Sequence, residues 1–62
     1  MYANFKKQLD KKGVTTYRVS KDTGIAQSTL SDWKHGKYTP KVDKLIILAK
    51  YFEIDINELI NT

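Results

Sequence analysis

Thr16-Tyr17-Arg18-Val19-Ser20-Lys21-Asp22-Thr23-Gly24-Ile25-Ala26-Gln27-Ser28-Thr29-Leu30-Ser31-Asp32-Trp33-Lys34-His35 contains two helix-length segments with one glycine between them. Thr15 precedes the first segment and is a candidate N-cap, because its hydroxyl can accept from a free backbone N–H of the first turn. Gly24 stands where the chain must leave a helix, a step that positive φ makes easy and that Gly takes without steric cost. Only Gly24, Ile25 and Ala26 separate the segments, too few for an antiparallel hairpin of helices. Val19, Ile25, Leu30 and Trp33 supply apolar side chains at spacings that let the two helices cross and pack. The pattern predicts a helix-turn-helix over about 16–35, whose first helix braces the second and leaves one face of it outward.

At about 100° per residue, Ala26, Leu30 and Trp33 gather on one side of the second helix, expected over about Gln27 to His35. Ser28, Ser31, Asp32 and His35 gather opposite, with Gln27 on the flank near the N-terminal end. A solvated helix face is the ordinary reason for such residues. Within a helix-turn-helix the same face is small enough to enter a DNA major groove and polar enough to read it. Gln bonds bidentately to adenine, Ser donates or accepts with several bases, and Asp accepts from the cytosine amino group while repelling phosphate. Gln27, Ser28, Ser31 and Asp32 are therefore the base-contact candidates.

On the N-terminal side, Phe5 and Leu9 lie one turn apart in an expected helix from about Tyr2 to Lys12, which Gly13 can end. Beyond the motif comes a basic loop, His35-Gly36-Lys37-Tyr38-Thr39. A fourth helix is expected to start near Pro40 as its first helical residue, with Val42, Leu45, Ala49 and Phe52 on its inner face. Asp55 and Glu58 form a capping-box-like pair that opens a last short helix with Ile56 and Leu59 turned inward. No segment alternates with a strand period. The expected fold class is all-α: a single five-helix domain over residues 1–62.

With 62 residues there is no room for a second domain. The chain has no Cys and one His, His35, which excludes a disulfide framework and a zinc site. No apolar run approaches the roughly 20 residues that span a bilayer, and the first residues do not resemble a signal peptide. A cytoplasmic location is expected. The net charge of +4 and pI of about 9.4 suit an anionic partner. The positive charge is concentrated in residues 1–21 and 34–50, whereas residues 51–62 carry Glu53, Asp55 and Glu58 without a base. The acidic end is thus the least suited to face a polyanion. Carboxylates are scattered, the lone His has no partner pattern, and no phosphate-binding glycine loop is present, so no catalytic residue, metal site or cofactor is expected.

From Phe5 to Ile60 the sequence resembles the lambda-repressor-like helix-turn-helix family, of the XRE or Cro/phage-repressor type. The resemblance lies in Gly13-Val14-Thr15, Val19-Ser20-Lys21, Gly24-Ile25, Gln27 through Lys34, Gly36-Lys37, Thr39-Pro40-Lys41, Asp43 to Phe52 and Ile56 to Leu59. It is especially similar to phage-type repressors of low-GC Gram-positive bacteria. The resemblance implies a five-helix DNA-binding domain that represses transcription as a dimer on a palindromic operator. It also implies sugar-phosphate contacts at the start of helix 2, with Thr16 and Tyr17, and after the recognition helix, with Lys34, Lys37, Tyr38 and Lys41. Tyr17 could equally be a packing residue.

Departures from the family pattern are Thr16, where many members carry a phosphate-touching Gln, and Leu9 with Lys34, where many carry an Arg–Glu pair. Ala26 replaces a small polar cap, Gln8 and Thr23 stand where apolar residues are common, and Glu53 replaces a frequent Gly. Candidate dimer residues are Ile60 and the pair Ile47 and Tyr51, each alternatively an isolated surface apolar residue. A weak homodimer, or one formed on DNA, is expected. The alternative is an antitoxin-type protein-interaction module of the same fold, whose toxin-binding arm would lie outside this core. The chain is either a complete Cro-like protein or the N-terminal domain of a longer repressor.

Overall fold

Five helices form between the breakers that the sequence supplies. The computed structural model describes residues 1–61. The helices are α1 (Tyr2–Lys12), α2 (Thr16–Thr23), α3 (Gln27–Lys34), α4 (Val42–Phe52) and α5 (Asn57–Ile60). Thr15 caps α2 as expected, its Oγ1 accepting the Arg18 N–H at 3.3 Å. At α5 the two carboxylates work reciprocally. Asp55 Oδ1 accepts the Asn57 N–H at 2.8 Å, and Glu58 Oε2 accepts the Asp55 N–H at 3.2 Å. The helix itself begins only at Asn57, because its first bonds, Glu58 N–H to Asp55 and Leu59 N–H to Ile56, are of the tighter i→i−3 kind.

Helix α4 differs from expectation at its start. Pro40 is not the first helical residue but lies two positions before Val42, and it is buried. Lys41 is the residue at which the chain turns into the helix, with extended backbone at φ −77° and ψ 169°. Pro40 and Leu45, both buried, thereby stand at the N′ and N4 positions that a hydrophobic staple uses. The inner stripe is Leu45, Leu48, Ala49 and Phe52. Val42 was expected among them but is 63% exposed. It stands in the first turn, at the edge of the stripe, and Leu48 fills the inner position.

The core is one cluster in which Phe5, Val19, Leu30, Leu48 and Leu59 are fully buried, one from each helix. Aromatic rings join its halves: Phe5 is 5.0 Å from Trp33 and 5.8 Å from Phe52, centroid to centroid. Such pairs add about 0.5–1.5 kcal/mol each beyond the area they bury. The ring partners of Trp33 are Tyr2 and Phe5 of α1. Helix α1 therefore stands behind α3 as a second brace. Among the described residues no helix is long and apolar enough to cross a membrane.

Candidate nucleic-acid interface

The turn between α2 and α3 is made by backbone geometry. Gly24 has φ 81° and ψ 0°, and its N–H closes α2 onto the Ser20 carbonyl at 2.9 Å. A Cβ there would meet nothing within 4 Å, so it is the left-handed backbone and not lack of space that favours Gly. Thr23, the polar residue where an apolar one is common, serves the same turn. Its hydroxyl donates to the Val19 carbonyl at 2.7 Å and accepts the Ile25 N–H at 3.2 Å. Ile25 then enters the core beside Val19 and Leu30. Ala26, expected on the buried side, is exposed. It precedes the first helical residue with φ −59° and ψ 139°, so it escapes the helical register that would have turned it inward.

Once α3 is fixed at that angle, Gln27, Ser28, Ser31 and Asp32 are all exposed. Among the described residues none of these four side chains makes a hydrogen bond, so their full donor and acceptor capacity faces outward. Gln27 and Ser31 share a depression of about 200 Å³ with Thr16, Lys34, His35 and Tyr2. The start of α2 and both ends of α3 thus converge on one concavity, while Ser28 and Asp32 lie outside it. Helix α3 ends in a Schellman motif: Gly36, at φ 74°, donates to the Trp33 carbonyl at 3.1 Å, and Lys37 N–H to the Asp32 carbonyl at 2.8 Å. The His35 Nδ1–H adds a bond to the Ser31 carbonyl at 2.8 Å. The backbone of Lys37 is therefore tied to α3.

A family model described as a Cro/C1-type HTH DNA-binding domain matches residues 4–62. The chain belongs to that family. Comparison with curated proteins and with solved structures found no match. Membership makes this a DNA-binding domain, and its family is non-enzymatic. The five-helix all-α fold is that of Cro/C1-type domains, and the helix-turn-helix occupies α2 and α3.

In this Cro/C1-type domain the remaining candidate residues are placed as follows. Thr16 is half-buried at the start of α2, whereas Tyr17 is 58% exposed with Lys21 Nζ 5.7 Å from its ring centre. Tyr17 is a surface side chain and not a core one. Lys34, Lys37 and Lys41 are exposed and form no ion pair among the described residues, and Tyr38 is half-buried between them in sequence. Arg18, by contrast, is committed: its Nε lies 2.9 Å from Asp22 Oδ2. The Tyr51 hydroxyl donates to the same oxygen at 2.7 Å. The Tyr51 hydrogen bond first, and the Arg18 bond after it, hold the Asp22 carboxyl below its ordinary pKa. Accepting that proton's bond, Asp22 pushes the Tyr51 phenol up.

This network bears on Ile47 and Tyr51, expected together as a surface patch. Ile47 is 40% exposed, but Tyr51 is half-buried, bonded to α2 and covered by Lys12 at 5.1 Å from its ring centre. Its polar tip is used within the domain. Ile60 is exposed, as are Val42 and Ile46. Tyr2 is the site residue that sequence reasoning missed. It meets Trp33 edge-on at 5.4 Å and forms one wall of the depression beside α3. Nothing in the local sequence signals a contact between residues so far apart in the chain.

Proposed function

We propose that this domain is a sequence-specific double-stranded-DNA-binding transcriptional regulator, a repressor of phage or prophage type that inserts α3 into the major groove. The observation that carries the reading is the outer face of α3: Gln27, Ser28, Ser31 and Asp32 are exposed, small and without hydrogen-bond partners among the described residues. Helix α3 is braced by α2 in front and by Tyr2 and Phe5 of α1 behind. A rigid scaffold behind an unsatisfied polar face suits base readout, because a base-edge bond gains specificity only if the side chain arrives pre-positioned. Thr16, Tyr17, Lys34, Lys37, Tyr38 and Lys41 act as phosphate contacts that set register without reading sequence. The operator is palindromic and the regulator acts on it as a two-fold pair in the cytoplasm. Selection of bound sequences from random duplex DNA tests this. A palindromic consensus is the expected result, whereas recovery of random sequence would restrict the domain to non-specific binding.

A further inference from the structure

We propose that the polar groove between α1 and α5 is a docking site for an extended acidic peptide segment of a partner protein. The groove encloses about 320 Å³ and is lined by Lys7, Gln8 and Lys11 on one side and Asn57, Glu58 and Asn61 on the other. Gln8 is only 8% exposed, yet its side chain makes no hydrogen bond to a described residue. No sealed and unpartnered polar atom occurs among the described residues, so the Gln8 amide meets solvent through the groove. An apolar residue would fill the same space, whereas the amide keeps a donor and an acceptor facing the groove. The groove has a fixed width, because Asn4 Nδ2 on α1 donates to the Leu59 carbonyl at 3.1 Å and to the Asn61 carbonyl.

The lining selects the occupant. A carboxamide presents a donor and an acceptor side by side, which matches the N–H and C=O of an extended main chain. Asn57 and Asn61, one helical turn apart, offer the same pair on the opposite wall. Lys7 and Lys11 are also one turn apart and form no ion pair among the described residues, whereas Lys6 on the same helix is bonded to Asp10 at 2.8 Å. Two unneutralised ammonium groups in a row call for carboxylates. Glu58, held by its bond from the Asp55 N–H at 3.2 Å, makes the other wall negative. It repels a continuous polyphosphate but not a peptide whose carboxylates all face the lysines. Around α1, Lys7 and Lys11 lie roughly 140–180° from Tyr2, and Tyr2 borders the depression at α3. The peptide would therefore occupy its groove while α3 remains on DNA.

A phage-displayed library of random heptapeptides, selected on the immobilised full chain, supplies the probe. The enriched peptide is then synthesised and titrated into ¹⁵N-labelled protein. The expected peptides carry at least two Asp or Glu residues and shift the amide signals of Lys7, Gln8, Lys11 and Asn57 while leaving Ser28, Asp32 and Lys37 in place. Binding should fall at least about tenfold in Lys7→Ser/Lys11→Ser and in Gln8→Leu, with DNA binding retained. The lysine positions are exposed, so that double variant keeps the test valid should Gln8→Leu repack the core. No acidic enrichment, shifts at α3 and Lys37 instead of the groove, or undiminished affinity in the double-lysine variant would each overturn the proposal.

Discussion

Gln27 and Glu53 show how differently two exposed polar residues can matter. Gln27 stands at the first position of α3, on the rim of the concavity that also holds Ser31 and Lys34. A bidentate bond from its amide to a base is worth about 1–3 kcal/mol of discrimination. Gln27→Ala is expected to lose that amount at one base pair and relax the consensus there, with the rest of the site unchanged. Binding assays on single-substituted operators check it, and an unaltered affinity and consensus would remove Gln27 from the base-reading set. Glu53 has φ 58° and ψ 45°, the only non-Gly residue at positive φ among those described. It closes α4 with the bond pattern of a Schellman motif, its own N–H donating to the Lys50 carbonyl at 3.2 Å and the Ile54 N–H to Ala49 at 3.0 Å. A left-handed residue with a Cβ costs about 1–2 kcal/mol, and Gly would relieve that cost but offset part of it through its freer unfolded chain. Glu53→Gly is expected to stabilise the domain by about 0.5–1 kcal/mol, read as a higher denaturant midpoint at unchanged slope.

Between elements, two connections bear on the proposed DNA face. The first is the loop from Lys34 to Lys41, whose start is bound to α3 through Gly36 and Lys37 and whose end is anchored by buried Pro40. Its three lysines are therefore carried in a fixed relation to α3. Changing Lys34, Lys37 and Lys41 to Ala should weaken binding to all sequences alike and flatten the log–log salt dependence by about 0.9 for each phosphate that is no longer neutralised. An unchanged salt slope would move the phosphate-facing surface elsewhere. The second connection joins α2 to α4 through Arg18, Asp22 and Tyr51. Because the Asp22 carboxyl is held below its ordinary pKa by Tyr51 and Arg18, its contribution is complete above about pH 4 and is lost as pH falls through the depressed value. Because the Tyr51 phenol is pushed up by Asp22, its contribution is complete below about pH 10 and is lost as pH rises through the raised value. The difference in melting temperature between the wild type and Asp22→Asn should be level across neutral pH and shrink as pH falls below about 4. A difference undiminished in acid would remove the carboxylate charge from the account.

Over the whole molecule, the legible part of the structure was the local part. Thr15, Gly24 and the spacing of Val19, Leu30 and Trp33 predict α2, the turn and α3, because caps, positive φ and helical period act within a few residues. The entry into α4 was legible only to within two residues, since Pro40 is as acceptable before a helix as at its first position until Leu45 is seen to need a neighbour. Tyr2 beside Trp33 and Tyr51 against Asp22 were not legible, because each joins segments whose approach only the assembled core decides. The same limit applies to the proposed dimer surface, where exposure separates Ile47 and Ile60 from Tyr51. The domain measures 24 × 21 × 20 Å along its principal axes, while half-sites one helical turn apart place two recognition helices about 34–36 Å from each other. Two copies on such a site can meet only at their edges, and an edge contact falls well below the roughly 1,200 Å² of a stable interface. The domain alone should then be monomeric in dilute solution and pair cooperatively on a palindromic duplex. DNA supplies the effective concentration that the small contact lacks. Sedimentation at rising protein concentration, with and without the duplex, reads both states, and Ile47→Ser/Ile60→Ser should reduce the cooperativity without reducing affinity for a lone half-site. A tight dimer in the absence of DNA would contradict the edge contact, and full-affinity binding of one copy to one half-site would end the two-fold scheme.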